Sequence, residues 1–133
     1  MSHSKLRISN PPGVHAPAPS YAHVAEDTET GTIWVAGQVG LLPNGELAGP
    51  DMASQLRQIV ANYDAILASL GLDRSAFVKR TVFVTDMDEY FSEAMTREVR
   101  AIWTERPFPS TLVGVTRLYD PRVKIEVEAV LKR

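Results

Sequence analysis

With 133 residues, the chain is long enough to bury a real core, and we interpret residues 1–133 as a single domain. Its 14 basic and 16 acidic residues give a net charge of −2, which argues against a nucleic-acid partner. The chain has no cysteine, which excludes disulfides and thiolate metal sites. No apolar run reaches the roughly 18 residues that span a membrane, and no apolar signal core follows the first residues, so we expect a cytoplasmic protein without membrane contact.

The first 50 residues predict strands and loops without a helix. Apolar and polar residues alternate over residues 5–9, which indicates a short strand. The proline-rich residues 10–20 predict an extended loop, because proline fixes φ and removes backbone donors. A strand is predicted to begin over residues 21–25, with its hairpin turn at residues 27–31. Residues 32–39 form a strong strand pattern, and apolar side chains on both of its faces predict cover on both sides.

The middle of the chain predicts two amphipathic helices. Asp51 suits the N-cap of a helix that ends at Gly71. The apolar stripe of this helix comprises Met52, Leu56, Ile59, Val60, Tyr63, Ile66, Leu67 and Leu70. Asp86 and Glu89 then fit a capping box for a second helix that reaches Thr104. Its apolar positions are Tyr90, Phe91, Ala94, Met95, Val99, Ile102 and Trp103.

Strands are also predicted over residues 77–85, 110–117 and 122–132. Two amphipathic helices can cover only one face of the resulting sheet. We therefore predict an α+β fold with a mixed sheet of about six strands and both helices packed on one face. Trp34 and Phe83 give the other face an apolar character, which predicts burial against other subunits.

Residues that often carry metal or cofactor chemistry have structural explanations in this chain. His3, His15 and His23 lack the spacing of a metal ligand set, and we expect none of them to be catalytic. Asp86 and Asp88 fit helix-cap chemistry rather than an acid–base pair. No phosphate-binding loop and no glycine-rich dinucleotide motif is present. The sequence therefore predicts neither a metal nor a cofactor.

Four segments carry a resemblance to a known family. They are Ala-Gly-Gln at 36–38, Thr-Val-Phe-Val-Thr-Asp at 81–86, the run 106–118 that contains Pro-Phe-Pro-Ser-Thr-Leu-Val-Gly-Val, and Lys-Ile-Glu-Val-Glu-Ala at 124–129. In this order they resemble the reactive-intermediate deaminase family, also written Rid or YjgF. The resemblance implies a chorismate-mutase-like α+β fold that assembles as a barrel-like homotrimer, with clefts for small molecules between subunits.

The resemblance also implies a reaction. Catalytic members of that family hydrolyse enamines and imines to a 2-oxo acid and ammonia. Carried over to this chain, Glu126 and the backbone carbonyl of Leu112 would hold and polarise the attacking water. Tyr21, Ala36 and Gly37 would line the cleft beside the ligand, and no cofactor is implied.

This chain departs from the family pattern at the position that binds a substrate carboxylate. The family's arginine falls on Ser110, or on Thr111 if the gap is placed differently, while Ala36 and Ala94 replace a serine and an asparagine. Removing one partner of a buried bidentate pair costs about 3–5 kcal/mol, and a hydroxyl cannot neutralise a carboxylate. We therefore predict a divergent member in which Ser110 and Thr111 shape ligand choice, with Arg106 as an open candidate for the missing cation.

Three functions stay open. The first is a divergent hydrolase of small imines, enamines or related reactive metabolites, with Glu126 as the catalytic residue. The second is a non-catalytic trimer that binds or senses a small ligand. The third and weaker function is an endoribonuclease, a name that some family members carry and that the negative net charge disfavours. Structural explanations also stay open, because Glu126 could belong to a salt-bridged stripe with Lys124 and Gly37 could mark a close backbone approach.

Overall fold

The computed structural model describes residues 5–103 and 106–133, and these form one six-stranded sheet. In chain order, the strands are β1 (Leu6–Ser9), β2 (Val24–Asp27), β3 (Thr32–Val39), β4 (Phe77–Val84), β5 (Ser110–Gly114) and β6 (Ile125–Lys132). Side by side, they follow the order β1-β2-β3-β6-β4-β5. β4 and β5 are parallel and the other neighbouring pairs are antiparallel, so the predicted mixed sheet is confirmed.

The first helix has the predicted ends. α1 spans Met52–Ser69, and the Asp51 side chain accepts a hydrogen bond from the Ser54 N–H at 3.1 Å. Gly71 follows the helix with φ of +70°, a backbone conformation that glycine adopts without strain. The buried side chains of α1 include Met52, Leu56, Ile59, Tyr63, Ile66 and Leu67 from the predicted stripe, together with the polar Gln55 and Asn62. The two buried polar residues were not predicted.

The single second helix predicted to reach Thr104 is wrong. The structure has α2 (Met87–Tyr90), α3 (Glu93–Met95) and a π-helical turn (Thr96–Arg100), while Thr104 lies outside the described residues. Ser92 interrupts the helix because its backbone is extended, with ψ of 159°, and its side chain accepts from the Met95 N–H. Serine competes with helical backbone bonds in this way, which is why it favours helix starts.

The predicted capping box before α2 forms only in part. The Asp86 side chain accepts from the Glu89 N–H at 2.9 Å, as predicted. The Glu89 carboxylate instead accepts from the backbone N–H of Met52 at 2.8 Å and from Lys124 Nζ at 2.7 Å. Glu89 therefore joins the start of α1 to the beginning of the last strand segment.

The predicted apolar stripe of the second helical segment is only partly buried. Tyr90, Met95, Val99 and Trp103 belong to the core, whereas Phe91 is 57% exposed and Ile102 is 58% exposed. The breaks between α2, α3 and the π-helical turn rotate these positions away from a single helical face. The segment therefore contributes less to the core than an unbroken helix would.

The two faces of the sheet differ in cover. α1 packs against β3 and β6 on one face, where Ile33 and Ile125 are fully buried. The other face exposes Ile8 (59%) and Trp34 (46%), so the described residues do not supply the second cover predicted for β3. Among the described residues, no helix combines the length and apolar character that a membrane span needs.

The last two strands, β5 and β6, are shorter than predicted, and β6 begins late because a tight turn precedes it. The Asp120 side chain accepts from the Arg122 N–H at 2.8 Å, which stabilises the turn. The buried Gln55 amide then donates to the Arg122 carbonyl at 2.9 Å and accepts from the Lys124 N–H at 2.8 Å. This connection carries Tyr119 and leads directly into the strand that holds Glu126.

Candidate active site

A cavity of about 570 Å³ lies between the N-terminal loop, β3 and β6. Tyr21, Ala36, Gly37 and Glu126 all line it, so four of the predicted site residues are brought together. The remaining lining residues are His15, Ala16, Ala18, Val39, Leu41 and Tyr119. The cavity is therefore mostly apolar, with one carboxylate and a few polar aromatic groups, as is common for small-molecule sites.

The strand alternation of β6 directs Glu126 away from the helices. Its neighbours Ile125 and Val127 are both fully buried on the helix side, so the Glu126 side chain points to the opposite face. Burial raises the pKa of the Glu126 carboxyl above its ordinary value of 4.5, and the negative charge of Glu128 adds to this shift. Glu126 therefore keeps a proton more readily than an exposed glutamate does.

The Glu126 carboxylate has no partner within residues 5–103 and 106–133. The salt-bridged stripe considered for this strand does not involve Glu126, because Lys124 Nζ pairs with Glu89 at 2.7 Å. A half-buried carboxylate that the fold leaves unpaired is free to bind water or a ligand.

Gly37 makes room for this carboxylate. A Cβ atom at position 37 would lie 2.8 Å from Cδ of Glu126 and closer still to its Oε2. Position 37 therefore needs a glycine because the Glu126 side chain occupies the space of a Cβ atom, and not because a second backbone approaches closely.

If the chain hydrolyses imines as its motifs imply, we expect Gly37→Ala to displace the Glu126 carboxylate and to lower catalytic efficiency by about 100-fold, since small misplacements of catalytic groups have effects of this size. The melting temperature should stay close to that of the wild type, because the displaced atoms lie at the end of a flexible side chain. Thermal melts and kcat/KM for imine hydrolysis, measured on the same preparation, check both parts.

Gly40→Ala is the matched control for Gly37→Ala. A Cβ at position 40 would lie 2.7 Å from both Cα and the carbonyl oxygen of Gln55, which are backbone atoms that cannot rotate away. This variant should lose about 1–3 kcal/mol of unfolding free energy. If Gly37→Ala lost as much stability as Gly40→Ala and kept its activity, the proposed spacing role of Gly37 would be wrong.

The structure places the other predicted residues in a separate group. Ser110, Thr111 and Leu112 lie on β5, which is an edge strand separated from β6 by β4. None of the three lines the cavity that contains Glu126. Within a single chain, the predicted site residues therefore form two separate groups, one around the cavity and one on β5.

Two cavity residues were missed by sequence reasoning. His15 lines the cavity and is 4% exposed, but the spacing of the three histidines predicts no metal site and so gives no reason to place His15 in a functional site. Tyr119 is 64% exposed and lies on the connection before β6, where no periodic pattern marks it. In the described part of the chain, no group of three or more histidine, aspartate or glutamate side chains is placed to hold a metal ion.

A buried polar cluster fixes the wall of the cavity. His23 Nε2 lies 2.7 Å from the His15 carbonyl, so this nitrogen carries the proton and donates. The Gln38 amide donates to the Ala36 carbonyl at 3.2 Å, and its nitrogen lies 3.0 Å from His23 Nδ1. The Tyr21 ring packs edge-on against His23, with ring centres 5.8 Å apart. His23 and Gln38 thus position three residues that line the cavity.

His15 has a different electrostatic environment from its neighbour. Its Nδ1 is buried and makes no hydrogen bond within the described residues. Burial lowers the pKa of His15, and the nearby His23 lowers it further. His15 therefore holds a proton less readily than an exposed histidine does, and it lines the same cavity as Glu126.

The Arg106 guanidinium contacts backbone carbonyls beside β4. Its Nη2 donates to the carbonyl oxygens of Ser75 and Phe77, at 2.6 Å and 2.9 Å. The arginine that contacts the predicted position is Arg80, whose Nε donates to Ser110 Oγ at 3.1 Å.

Comparison with known proteins identifies the family. The family described as endoribonuclease L-PSP matches residues 13–132 of this chain. The 2-iminobutanoate/2-iminopropanoate deaminase of Escherichia coli strain K12 is 38% identical over 104 residues, which cover 76% of this chain and 79% of that protein. The human protein of the same name is 28% identical over 100 residues, which cover 74% of this chain and 71% of that protein.

Solved structures share the fold. The crystal structure of the YjgF gene product from E. coli superposes with a TM-score of 0.82 at 30% identity, covering 96% of this chain and 98% of that chain. RidA from Psychrobacter sp. PAMC 21119 superposes with a TM-score of 0.80 at 24% identity, covering 95% and 98%. The chain therefore belongs to the endoribonuclease L-PSP family, which is the Rid or YjgF family that its motifs predict.

Proposed function

We propose that this protein is a deaminase of small imines and enamines, which acts in clefts between the subunits of a homotrimer. The observation that carries the proposal is the unpaired, half-buried carboxylate of Glu126, whose pKa is raised by burial and which faces a cavity lined by Tyr21. The 38% identity to a bacterial 2-iminobutanoate/2-iminopropanoate deaminase supports the same reaction class.

The proposed reaction adds water across a C=N bond. Glu126 accepts a proton from water while the water oxygen attacks the imine carbon, and the C=N electron pair moves to nitrogen. Glu126 passes this proton to the nitrogen, which gives a neutral amino alcohol. The Glu126 carboxylate then accepts the hydroxyl proton and transfers it to the same nitrogen as the carbonyl forms and the C–N bond breaks, so imine and water give a carbonyl compound and ammonia. Its raised pKa suits a group that both accepts and donates a proton.

Two features support a site shared between subunits. β5 is an edge strand, so one side of its backbone is left without a strand partner, and the Leu112 carbonyl is proposed to hold the attacking water in a neighbouring chain's cleft. The open sheet face exposes Ile8 and Trp34 beside a hollow of about 480 Å³. Exposed apolar side chains on one face are typical of a surface that associates with another subunit.

The proposal is tested with 2-iminopropanoate released by an amino-acid oxidase, by following loss of the imine with and without the protein. Wild type should accelerate this loss above the spontaneous rate. Ser110→Arg should lower KM for this substrate by at least about tenfold if residue 110 faces the substrate carboxylate, because a guanidinium binds a carboxylate bidentately. Thr111→Arg is the matched variant one position along the same strand.

The outcomes separate enzyme from binding protein. A ligand-binding trimer without turnover is the second candidate, because Ser110 and Thr111 stand where catalytic relatives are expected to carry the arginine. No acceleration by wild type, Ser110→Arg or Thr111→Arg would contradict the deaminase proposal and favour that candidate. RNA cleavage that copurifies with the protein and disappears in Glu126→Gln would favour an endoribonuclease instead.

The fall of kcat/KM at low pH should follow the protonation of the Glu126 carboxylate. The carboxylate must be deprotonated to accept the proton from water, so kcat/KM should fall as the pH drops through its raised pKa, above the ordinary value of 4.5. Glu128→Gln removes a charge that raises this pKa and should therefore shift the acid limb to lower pH. Glu46→Gln, at an exposed glutamate outside the cavity, should leave the limb in place.

A further inference from the structure

Two arginines on the helix side of the sheet are held by aromatic rings. The Arg80 guanidinium carbon lies 4.7 Å from the ring centre of Trp103 and 4.8 Å from that of Phe108. The Arg100 guanidinium carbon lies 4.6 Å from the Tyr90 ring and 5.0 Å from the Phe91 ring. Stacking of this kind fixes the plane of each guanidinium group, which reduces the entropy lost when a ligand binds.

Both arginines line one small cavity. Its volume is about 70 Å³, and its walls are Leu56, Arg80, Val82, Tyr90, Arg100 and Trp103. A volume of this size holds a few water molecules or one small polar group. The π-helical turn Thr96–Arg100 ends at one of the two arginines, and π-helical turns are frequent at binding sites.

No described side chain neutralises the positive charges in this cavity. Arg80 Nη1 is buried and makes no hydrogen bond within the described residues, while its Nε donates to Ser110 Oγ. Arg100 Nη1 donates to the neutral Thr96 hydroxyl at 3.3 Å. Within residues 5–103 and 106–133, no carboxylate forms an ion pair with either guanidinium.

The electrostatic cost of this arrangement points to an anion. Burial lowers the pKa of Arg80, and the positive charge of Arg100 lowers it further. Arg80 is half-buried, and a guanidinium that has one buried, unpaired N–H group and a second cation beside it is costly until an opposite charge binds. A carboxylate satisfies the requirement, because its two oxygens match the paired N–H groups of a guanidinium.

We propose that Arg80 and Arg100 form a binding site for a carboxylate group, which enters the aromatic-walled cavity beside Ser110 and accepts hydrogen bonds from Arg80 Nη1. The site does not depend on the proposed deaminase reaction. If the natural ligand is a carboxylate-bearing imine, however, the site supplies a cation from β4 next to the position where the family's arginine is missing on β5.

The test is a titration of the full chain with sodium acetate at constant ionic strength, balanced with sodium chloride. Trp103 contacts Arg80 and reports binding by its fluorescence, provided that Trp34→Phe removes the other tryptophan. A saturable change in Trp103 emission is expected with acetate and not with chloride alone. Inorganic phosphate at the same concentrations tests whether the site prefers a planar carboxylate.

Three arginine variants in the Trp34→Phe background decide the result. Arg100→Gln and Arg80→Gln should each weaken acetate binding by at least tenfold, whereas Arg97→Gln should not change it. Arg97 is the matched control because it lies on the same π-helical turn and its exposed guanidinium pairs with Glu93. Arg100→Gln keeps the test valid if Arg80→Gln fails to fold, because Arg100 lies on the π-helical turn and not on a strand of the sheet.

Absence of a saturable acetate response in wild type, or an equal response in Arg100→Gln, would overturn the proposal. Tighter binding of phosphate than of acetate would overturn the assignment to carboxylates. Because the readout is binding of a non-reactive anion, loss of the deaminase proposal would leave this result unaffected, and the reverse also holds.

Discussion

Replacing Glu126 with glutamine should lower kcat/KM for imine hydrolysis by about 100- to 10,000-fold, the range typical of a lost general base. Glutamine keeps the size of the side chain but cannot accept a proton from water. The carboxylate has no protein partner in the described residues, so the melting temperature should not fall. Loss of 2-iminopropanoate measured at a fixed pH, beside a thermal melt of the same sample, gives both quantities.

Glu128→Gln is the matched control for Glu126→Gln. It changes the same residue type two positions along the same strand, on the same face of the sheet, but Glu128 lies outside the cavity that contains Glu126. Its activity near neutral pH should remain within a few-fold of wild type. Equal activity of Glu126→Gln and wild type would remove Glu126 from the mechanism, whatever the fate of the control.

Gln55→Met should cost about 3–5 kcal/mol of unfolding free energy, estimated from the cost of leaving buried polar groups unpaired. Gln55 is fully buried, and its amide donates to the carbonyls of Gly49 and Arg122 and accepts from the Lys124 N–H, at 3.0, 2.9 and 2.8 Å. Methionine fills the space but leaves these three backbone groups without their partner. Urea unfolding monitored by circular dichroism measures the loss.

Gln58→Met on the same helix separates this effect from a general intolerance of substitution in α1. Gln58 is half-buried and donates one hydrogen bond, to Asn62 at 2.9 Å. We expect a loss of about 1–2 kcal/mol, because one buried acceptor, the Asn62 side-chain oxygen, loses its donor, whereas three backbone groups lose their partner in Gln55→Met. If both glutamine variants were equally stable, the connection that precedes β6 would not be held by Gln55.

Local chemistry made α1 predictable. Asp51 as a cap, Gly71 after the last turn and an apolar stripe between them all act within a few residues of each other. The following helical segment was predicted as one helix because its apolar spacing is helical. The capping preference of Ser92 overrides that spacing, and this competition could not be weighed from periodicity alone.

The candidate site was predictable only where a motif marked it. Tyr21, Gly37 and Glu126 came from the family resemblance, and they line one cavity, although their functional roles stay predictions. His15 and Tyr119 lie on loops whose positions depend on contacts distant in sequence, so no local pattern marks them. The contact of Arg80 with Ser110 depends on the register of two parallel strands, which the sequence does not specify.

We propose that two half-sites meet between subunits, one around Tyr21 and Glu126 and the other on β5 around Thr111. Cross-linking tests this proposal most directly. The chain has no cysteine, so Tyr21→Cys and Thr111→Cys introduce the only thiols, one in each half-site. With a short bismaleimide, the double variant should give covalent trimers on a denaturing gel, while each single variant should stay monomeric. Monomers from the double variant, or covalent dimers without trimers, would contradict a trimeric enzyme whose cleft joins Glu126 of one chain to β5 of the next.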